Sequence, residues 1–257
     1  MSSKIHPTAI IHPKAVLEDV EVGAHAYIGP EVSVGKGTVI REHVYIEGWT
    51  KIGEENVIYP YAVIGTPPQD FHYRGEKSFV EIGSRNIIRE FVTIHRASGE
   101  GEKTIVGNGC FLMAYSHIAH NCKVGNGVIL ANCAHLGGHV EVGDFAVVGG
   151  VVGVHQFCRI GELCIIGACS KVVMDVCPFL RADGHPVKIY GLNIVGLKRK
   201  NFPPETLKIL KDVYKLLFRS SLTLKEAIEK VEERWGEKEE VEKILSFIRT
   251  TKRGIHR

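Results

Sequence analysis

No stretch of the 257-residue chain is apolar for long enough to cross a bilayer, and no signal peptide opens it. The expectation is a cytoplasmic protein without stable membrane insertion. The seven cysteines are an odd number and include no CxxC pair, which argues against a disulfide framework or a zinc ribbon. Charge of one sign is not in excess either, since the net value is only +3. It is uneven, however. Residues 198–257 hold 16 Lys/Arg against 10 Asp/Glu, which suits an acidic partner near that end and equally a solvated helical surface. These basic residues lack interleaved aromatics, so nucleic acid is not an expected partner.

What the chain does have is a beat of six. From Ile10 to Val172 an aliphatic residue occupies 25 of the 28 positions spaced six apart, and only Asp70, Glu76 and Glu100 fail. Neither a helix nor a plain strand has this period; repetition of a short turn-strand unit does. Gly often follows the beat, as at Gly29, Gly53, Gly107 and Gly143, where the chain can turn without a Cβ clash. Two residues before it stands a small or β-branched one, such as Ala26, Thr38, Ala62 or Ser116. Both positions point inward by strand alternation and fill a narrow prism. Three hexads close one triangular coil of 18 residues. At roughly 4.8 Å per coil, about nine coils give a column some 45 Å tall.

The beat breaks twice, and each break predicts a polar loop leaving the column: residues 65–80 (GTPPQDFHYRGEKSFV) and 95–104 (HRASGEGEKT). Such excursions from rigid scaffolds commonly carry function, although many are neutral insertions. Beyond about residue 190 the period becomes helical. Pro203 and Pro204 suit a helix start, Thr223 and Glu226 a capping box, and Val241, Leu245 and Ile248 a third helix. The expected organisation is a β-solenoid over residues 1–190 and a helical domain over 191–257.

Cys110, Cys122, Cys158 and Cys164 occupy the small inward slot, so they are core fillers and not metal ligands. The histidines are more telling. Five of the thirteen, His117, His120, His135, His139 and His155, fall within four residues of one phase of the 18-residue coil. This places them on one vertical edge, which suggests acid–base chemistry or a metal. A third possibility, for His117 and His135, is a ladder that only hydrogen-bonds at a subunit interface.

At these residues the chain becomes recognisable. HIAHNC (His117–Cys122), LGGH (Leu136–His139), VHQFC (Val154–Cys158) and NIVGLKRK (Asn193–Lys200), in that order, resemble the UDP-N-acetylglucosamine O-acyltransferases. The resemblance spans essentially the whole chain. It implies a left-handed parallel β-helix, although parallel crossovers in general take the opposite hand. It also implies transfer of a 3-hydroxyacyl chain from the phosphopantetheine of acyl carrier protein to the 3-position of UDP-N-acetylglucosamine, the first step of lipid A synthesis, with no further cofactor.

On this resemblance His120 is the general base, and its imidazolium later protonates the departing thiol. A group that titrates near neutrality suits both steps and typically contributes ~10²–10⁴-fold. The Gly138 N–H would stabilise the oxyanion, worth roughly 10²–10³ in rate. His117 and His139 would position substrate groups. Asp70 and His72 would meet the sugar, and His155, Gln156, Asn193 and Arg199 the nucleotide, Arg199 through its forked donors. Ala168 would lie beside the acyl chain, where the family commonly has Gly. The resemblance further implies a homotrimer with active sites between subunits.

Three residues depart from the family pattern. Asn121 stands where Asp is common, His72 where Lys is frequent, and Val195 where an acidic residue is often seen. The rival readings are a hexapeptide transferase with a CoA donor or a 3-amino acceptor, the later N-acyltransferase of the same pathway, a γ-carbonic-anhydrase-like metalloprotein and a non-catalytic scaffold. The N-acyltransferase normally carries a domain ahead of its repeats, whereas here they start by Ile5. The anhydrase pairs histidines five apart; here the close pairs are three and four apart and lack carboxylates, so no metal is expected.

Overall fold

The computed structural model describes residues 3–257. Very short strands, mostly two residues long, stack in register into three parallel sheets that form the walls of a triangular prism. Sheet A runs from Lys4–Ile5 to Leu180–Gly184, sheet B from Ile10–Ile11 to Lys171–Val172, and sheet C from Val16–Leu17 to Arg159–Ile160. This is a parallel β-helix of the left-handed class. Beat residues such as Ile28, Ile64, Ile118 and Leu136 have no solvent exposure. The residues two before them, Ala26, Thr38, Ala62 and Ser116, are equally buried. From the second coil on, each coil therefore adds a large and a small inward group per wall; in the first coil the register is one residue later, so Ile11 and Leu17 stack on Ile28 and Val34 while Ile10 and Val16, on the beat, are exposed.

The glycines after the beat have a different reason from the one expected. The left-handed conformation at the turns falls three residues before the beat, sometimes on glycine (Gly37, Gly109, Gly127) but more often on non-glycine residues such as Tyr61, Phe91, Tyr115, Asn121 and His139 (φ 58° to 64°). Each such residue costs on the order of 1–2 kcal/mol in isolation; pairing to the coils above and below holds it in place. The glycines instead permit close stacking. A Cβ on Gly107 would lie 2.7 Å from the Gly125 carbonyl carbon, and one on Gly53 2.8 Å from that of Gly83.

Both excursions leave from the corner between sheets B and C. They are shorter than expected, because Phe79 and Lys103 already pair in sheet C. Trp49 pairs with Phe79, and Phe79 with Lys103, steps of 30 and 24 residues where regular coils such as Phe111 to Ile129 take 18. The insertions amount to two hexads and one hexad, which is why the beat returns in phase. They are pinned to one another: Arg96 donates to the Gly65 carbonyl (2.8 Å) and the Tyr73 hydroxyl (3.1 Å), and the Lys77 N–H donates to Glu100 (3.0 Å).

The column ends in an antiparallel hairpin, Leu180–Gly184 with Val187–Leu192. Helices α1 (Ile194–Arg199), α2 (Pro204–Arg219), α3 (Leu224–Trp235) and α4 (Glu239–Arg249) follow. The last three match the helical periods, and α3 carries the Thr223–Glu226 capping box. Helix α1, six residues long, was not anticipated. Arg159 fastens the helical domain to the column. It pairs with buried Asp175 (3.1 Å) and donates to the Phe247 carbonyl (2.7 Å) in α4.

Candidate active site

The B–C corner gathers His120, Asn121, Gly138 and His139 on adjoining coils, directly above the excursions. His120 and His139 meet edge to face with ring centroids 5.3 Å apart, and His139 stacks on Phe157 at 4.7 Å. Burial lowers the pKa of His139, helped by the neighbouring His120. His120 Nδ1 lies 2.9 Å from Asn121 Oδ1. That oxygen also accepts the Ser98 N–H (2.9 Å), so its acceptor role is settled and the proton belongs on Nδ1. Nε2 is left with its lone pair free.

Gly138 faces that nitrogen. A Cβ there would fall 2.6 Å from both Nε2 and Cε1 of His120, so only glycine leaves room for a reacting group. Among the described residues nothing accepts from the Gly138 N–H. The N–H groups at the equivalent turn positions, His120 and Gln156, are also unpaired. What distinguishes Gly138 is therefore the missing Cβ beside the base, together with the free donor.

Asp70, at the first excursion, accepts from the His72 N–H (2.9 Å) and lies 3.1 Å from His72 Nδ1. The His72 N–H bond, a bond from Ser98 and the nearby His120 ring hold its carboxyl well below the usual carboxylate range. An ionised Asp70 is thus able to accept hydrogen bonds from hydroxyl groups.

The expected single edge of five histidines is divided. His117, His135 and His155 lie over the outer face of sheet B, where they line a cavity of about 380 Å³ with Gly137 and Leu136. His95, which the sequence pattern had not singled out, extends this group: it meets His117 edge to face at 5.2 Å and donates to the Pro67 carbonyl (2.7 Å). Burial lowers the pKa of His95 and takes that of His117 down to about 4, so both are neutral acid–base bystanders at pH 7. His117 lies 2.7 Å from the Thr93 hydroxyl. Among the described residues no three His, Cys, Asp or Glu side chains come together as a metal site.

The remaining expected residues lie elsewhere on the chain. Asn193 and Arg199 line a cavity of about 730 Å³ on the outer side of sheet A, with Arg181, Lys211, Tyr190 and Val195. The Asn193 amide is engaged internally, accepting from the Gly196 N–H (3.0 Å) as the cap of α1 and donating to the Leu163 carbonyl (2.8 Å). Ala168 is exposed in the turn between sheets A and B. One chain therefore does not bring Asn193, Arg199 and Ala168 to His120, His155 and Gln156.

A hexapeptide column that holds an imidazole in one tautomer against a turn lacking a Cβ defines a class, the solenoid acyltransferases. Comparison with known proteins narrows it. Residues 103–138 match the bacterial transferase hexapeptide family, and residues 175–256 match UDP N-acetylglucosamine O-acyltransferase, domain 2. The acyl-[acyl-carrier-protein]–UDP-N-acetylglucosamine O-acyltransferases of Thermodesulfovibrio yellowstonii and Syntrophobacter fumaroxidans are 52% and 47% identical to this chain, covering 99% of it and 100% of their own length. The solved UDP-N-acetylglucosamine acyltransferase of Bacteroides fragilis superposes with a TM-score of 0.96 at 38% identity, over 98% of this chain and 100% of its own. That of Campylobacter jejuni gives 0.92 at 42% identity, over 98% and 99%. The chain belongs to the acyl-[acyl-carrier-protein]–UDP-N-acetylglucosamine O-acyltransferase family, and it is an enzyme.

Proposed function

We propose that this enzyme moves a 3-hydroxyacyl chain from acyl carrier protein to the 3-hydroxyl of UDP-N-acetylglucosamine, opening lipid A synthesis in the cytoplasm. The observation that carries the mechanism is the free Nε2 of His120 facing Gly138. Nε2 takes the proton of the sugar hydroxyl as its oxygen attacks the thioester carbonyl. The Gly138 N–H steadies the oxyanion, and the imidazolium returns the proton to the departing phosphopantetheine thiol. Asp70 orients the sugar, and no cofactor beyond the carrier's own phosphopantetheine takes part.

The distribution of residues supports a homotrimer. Asn193 and Arg199, which would bind the nucleotide, lie on the sheet A side and Ala168, which would flank the acyl chain, in the A–B turn, whereas His155 lies over sheet B and His120 and Gln156 at the B–C corner. Packing one copy's sheet A side against the next copy's B–C corner completes a site that a single chain leaves divided.

The test is mass spectrometry of products from 3-hydroxyacyl carrier proteins of graded length. UDP-N-acetylglucosamine and its 3-amino analogue compete as acceptors, and His120→Ala serves as control. The expected product is the UDP-sugar ester, lost about 10²–10⁴-fold in the variant. An amide product would transfer the assignment to the amino sugar, and an unaffected variant would remove His120 as base.

A further inference from the structure

The peptide that carries the proposed oxyanion donor lies between two glycines, Gly137 and Gly138. A Cβ on Gly137 would fall 2.8 Å from the Gln156 backbone nitrogen, and one on Gly138 would meet the His120 ring. The room they leave has a conformational cost, since no side chain on either flank limits rotation of this peptide. Its N–H has no acceptor among the described residues, so the plane is fixed from the Gly137 carbonyl. Two donors reach that oxygen. The Val140 N–H closes the turn at 3.4 Å, and the Cys122 thiol donates from inside the column at 3.1 Å. Cys122 has no solvent exposure. Burial pushes its pKa up to about 12, so at neutral pH the sulfur keeps the proton it donates.

The same bond recurs elsewhere in the column. Cys110 donates to the Gly125 carbonyl (3.1 Å) and the Thr38 hydroxyl to that of Gly53 (3.0 Å), each across 15 residues, as from Cys122 to Gly137. In those two peptides the other end is tied as well. The Asn126 N–H donates to Asp144 (2.7 Å), and the Glu54 N–H to Ser84 (2.9 Å). Of the three, the Gly137–Gly138 peptide alone has its N–H open, and it is the one beside Nε2 of His120.

We infer that Cys122 is a positioning residue for the oxyanion donor. Its thiol draws the Gly137 carbonyl inward, and a trans peptide sets N–H opposite C=O. The Gly138 N–H is thereby turned out of the column, toward the reacting group. The inference rests on the assignment of Gly138 as that donor.

Steady-state kinetics of three variants test it. Cys122→Ala removes the bond and leaves a slot that Ala26, Ala62, Ala134 and Ala146 fill in other coils. Its kcat should fall roughly five- to tenfold, as for loss of one neutral hydrogen bond, with KM for the UDP-sugar within about twofold of the original. Cys110→Ala deletes the twin bond at Gly125. It should lower Tm by a similar amount and leave kcat within about twofold. Cys122→Ser keeps a donor, and the Thr38 hydroxyl shows that oxygen can span this gap; kcat should return to within about twofold.

A full rate in Cys122→Ala, an equal loss in Cys110→Ala, or a Cys122→Ser enzyme as slow as Cys122→Ala would each overturn the inference. Gly138→Ala, assayed beside them, keeps the two questions apart. If it retains its rate, the oxyanion assignment and this inference fall together; if it is slow while Cys122→Ala matches the parent protein, only this inference falls.

Discussion

Two corners of the prism have the same backbone and different uses. Along the A–B corner the left-handed residues His25, His43, Tyr61, Phe91 and Tyr115 stack in an unbroken ladder, with ring centroids 4.8 to 5.0 Å apart. Along the B–C corner the same turn position holds Asn121, His139 and Phe157, and two excursions interrupt it below. The first corner shows what the repeat makes unaided: like rings above like rings, stabilising a strained turn. The second shows what chemistry requires, namely different groups on adjoining coils and loops whose hydrogen bonds decide which atom carries a proton. The scaffold supplies the address; the departures from repetition supply the reactivity.

The largest test of that contrast uses one glycine from each corner. Gly138 and Gly150 occupy the same position of the hexad, but a Cβ at Gly150 would meet only the Asn132 carbonyl oxygen, at 3.3 Å. Gly138→Ala should lower kcat about 10²–10³-fold with little change in Tm, and Gly150→Ala should leave kcat within about threefold. Equal losses from the two would show that the turn as such, and not the space beside His120, sets the rate.

Next in size is the wall that joins both corners. Ile118 in sheet B has no solvent exposure, and Ile118→Ala should cost about 2–5 kcal/mol in denaturant unfolding. A loss below 1 kcal/mol would mean that the column collapses around the deletion.

Acid should then single out the catalytic side, where buried His95 and His117 are held neutral. Their folded pKa values lie below the unfolded value, so the unfolded chain binds more protons as pH falls. Stability from His117 is complete above about pH 6.5 and is lost as pH drops toward about 4. Thermal unfolding followed from pH 7.5 to 5 should show a falling Tm, with a shallower slope in His117→Gln; parallel slopes would deny the link.

The smallest effect belongs to the ladder. Phe91→Ala breaks two stacks, each worth about 0.5–1.5 kcal/mol at most in this half-exposed setting. A modest drop in Tm with normal kcat is expected. A collapse in kcat would give that corner a part in catalysis that its rings do not suggest.

The period of six was enough to derive the three-walled prism, because every wall needs one large inward residue per hexad and tolerates little else. The capping box at Thr223 and the helical spacing after Pro203 were legible for the same reason: they are local rules. Three things were not. The glycines after the beat seemed to serve the turn, yet they serve the contact with the coil above, which no single hexad contains. The five histidines shared a phase, but phase alone does not separate a strand face from the corner two residues on.

The loop peptide that grips Asn121 had no signal at all, since any residue there would carry the same N–H and carbonyl. By itself the sequence determined the column, its helical end and the short list of groups able to move a proton. Only the tertiary structure decided which histidine keeps a free nitrogen, and that Asn193 and Arg199 stand on a different side of the chain from His120. Both depend on distances between segments more than twenty residues apart, and those distances are set by the stacking of coils and by the loops folded against them.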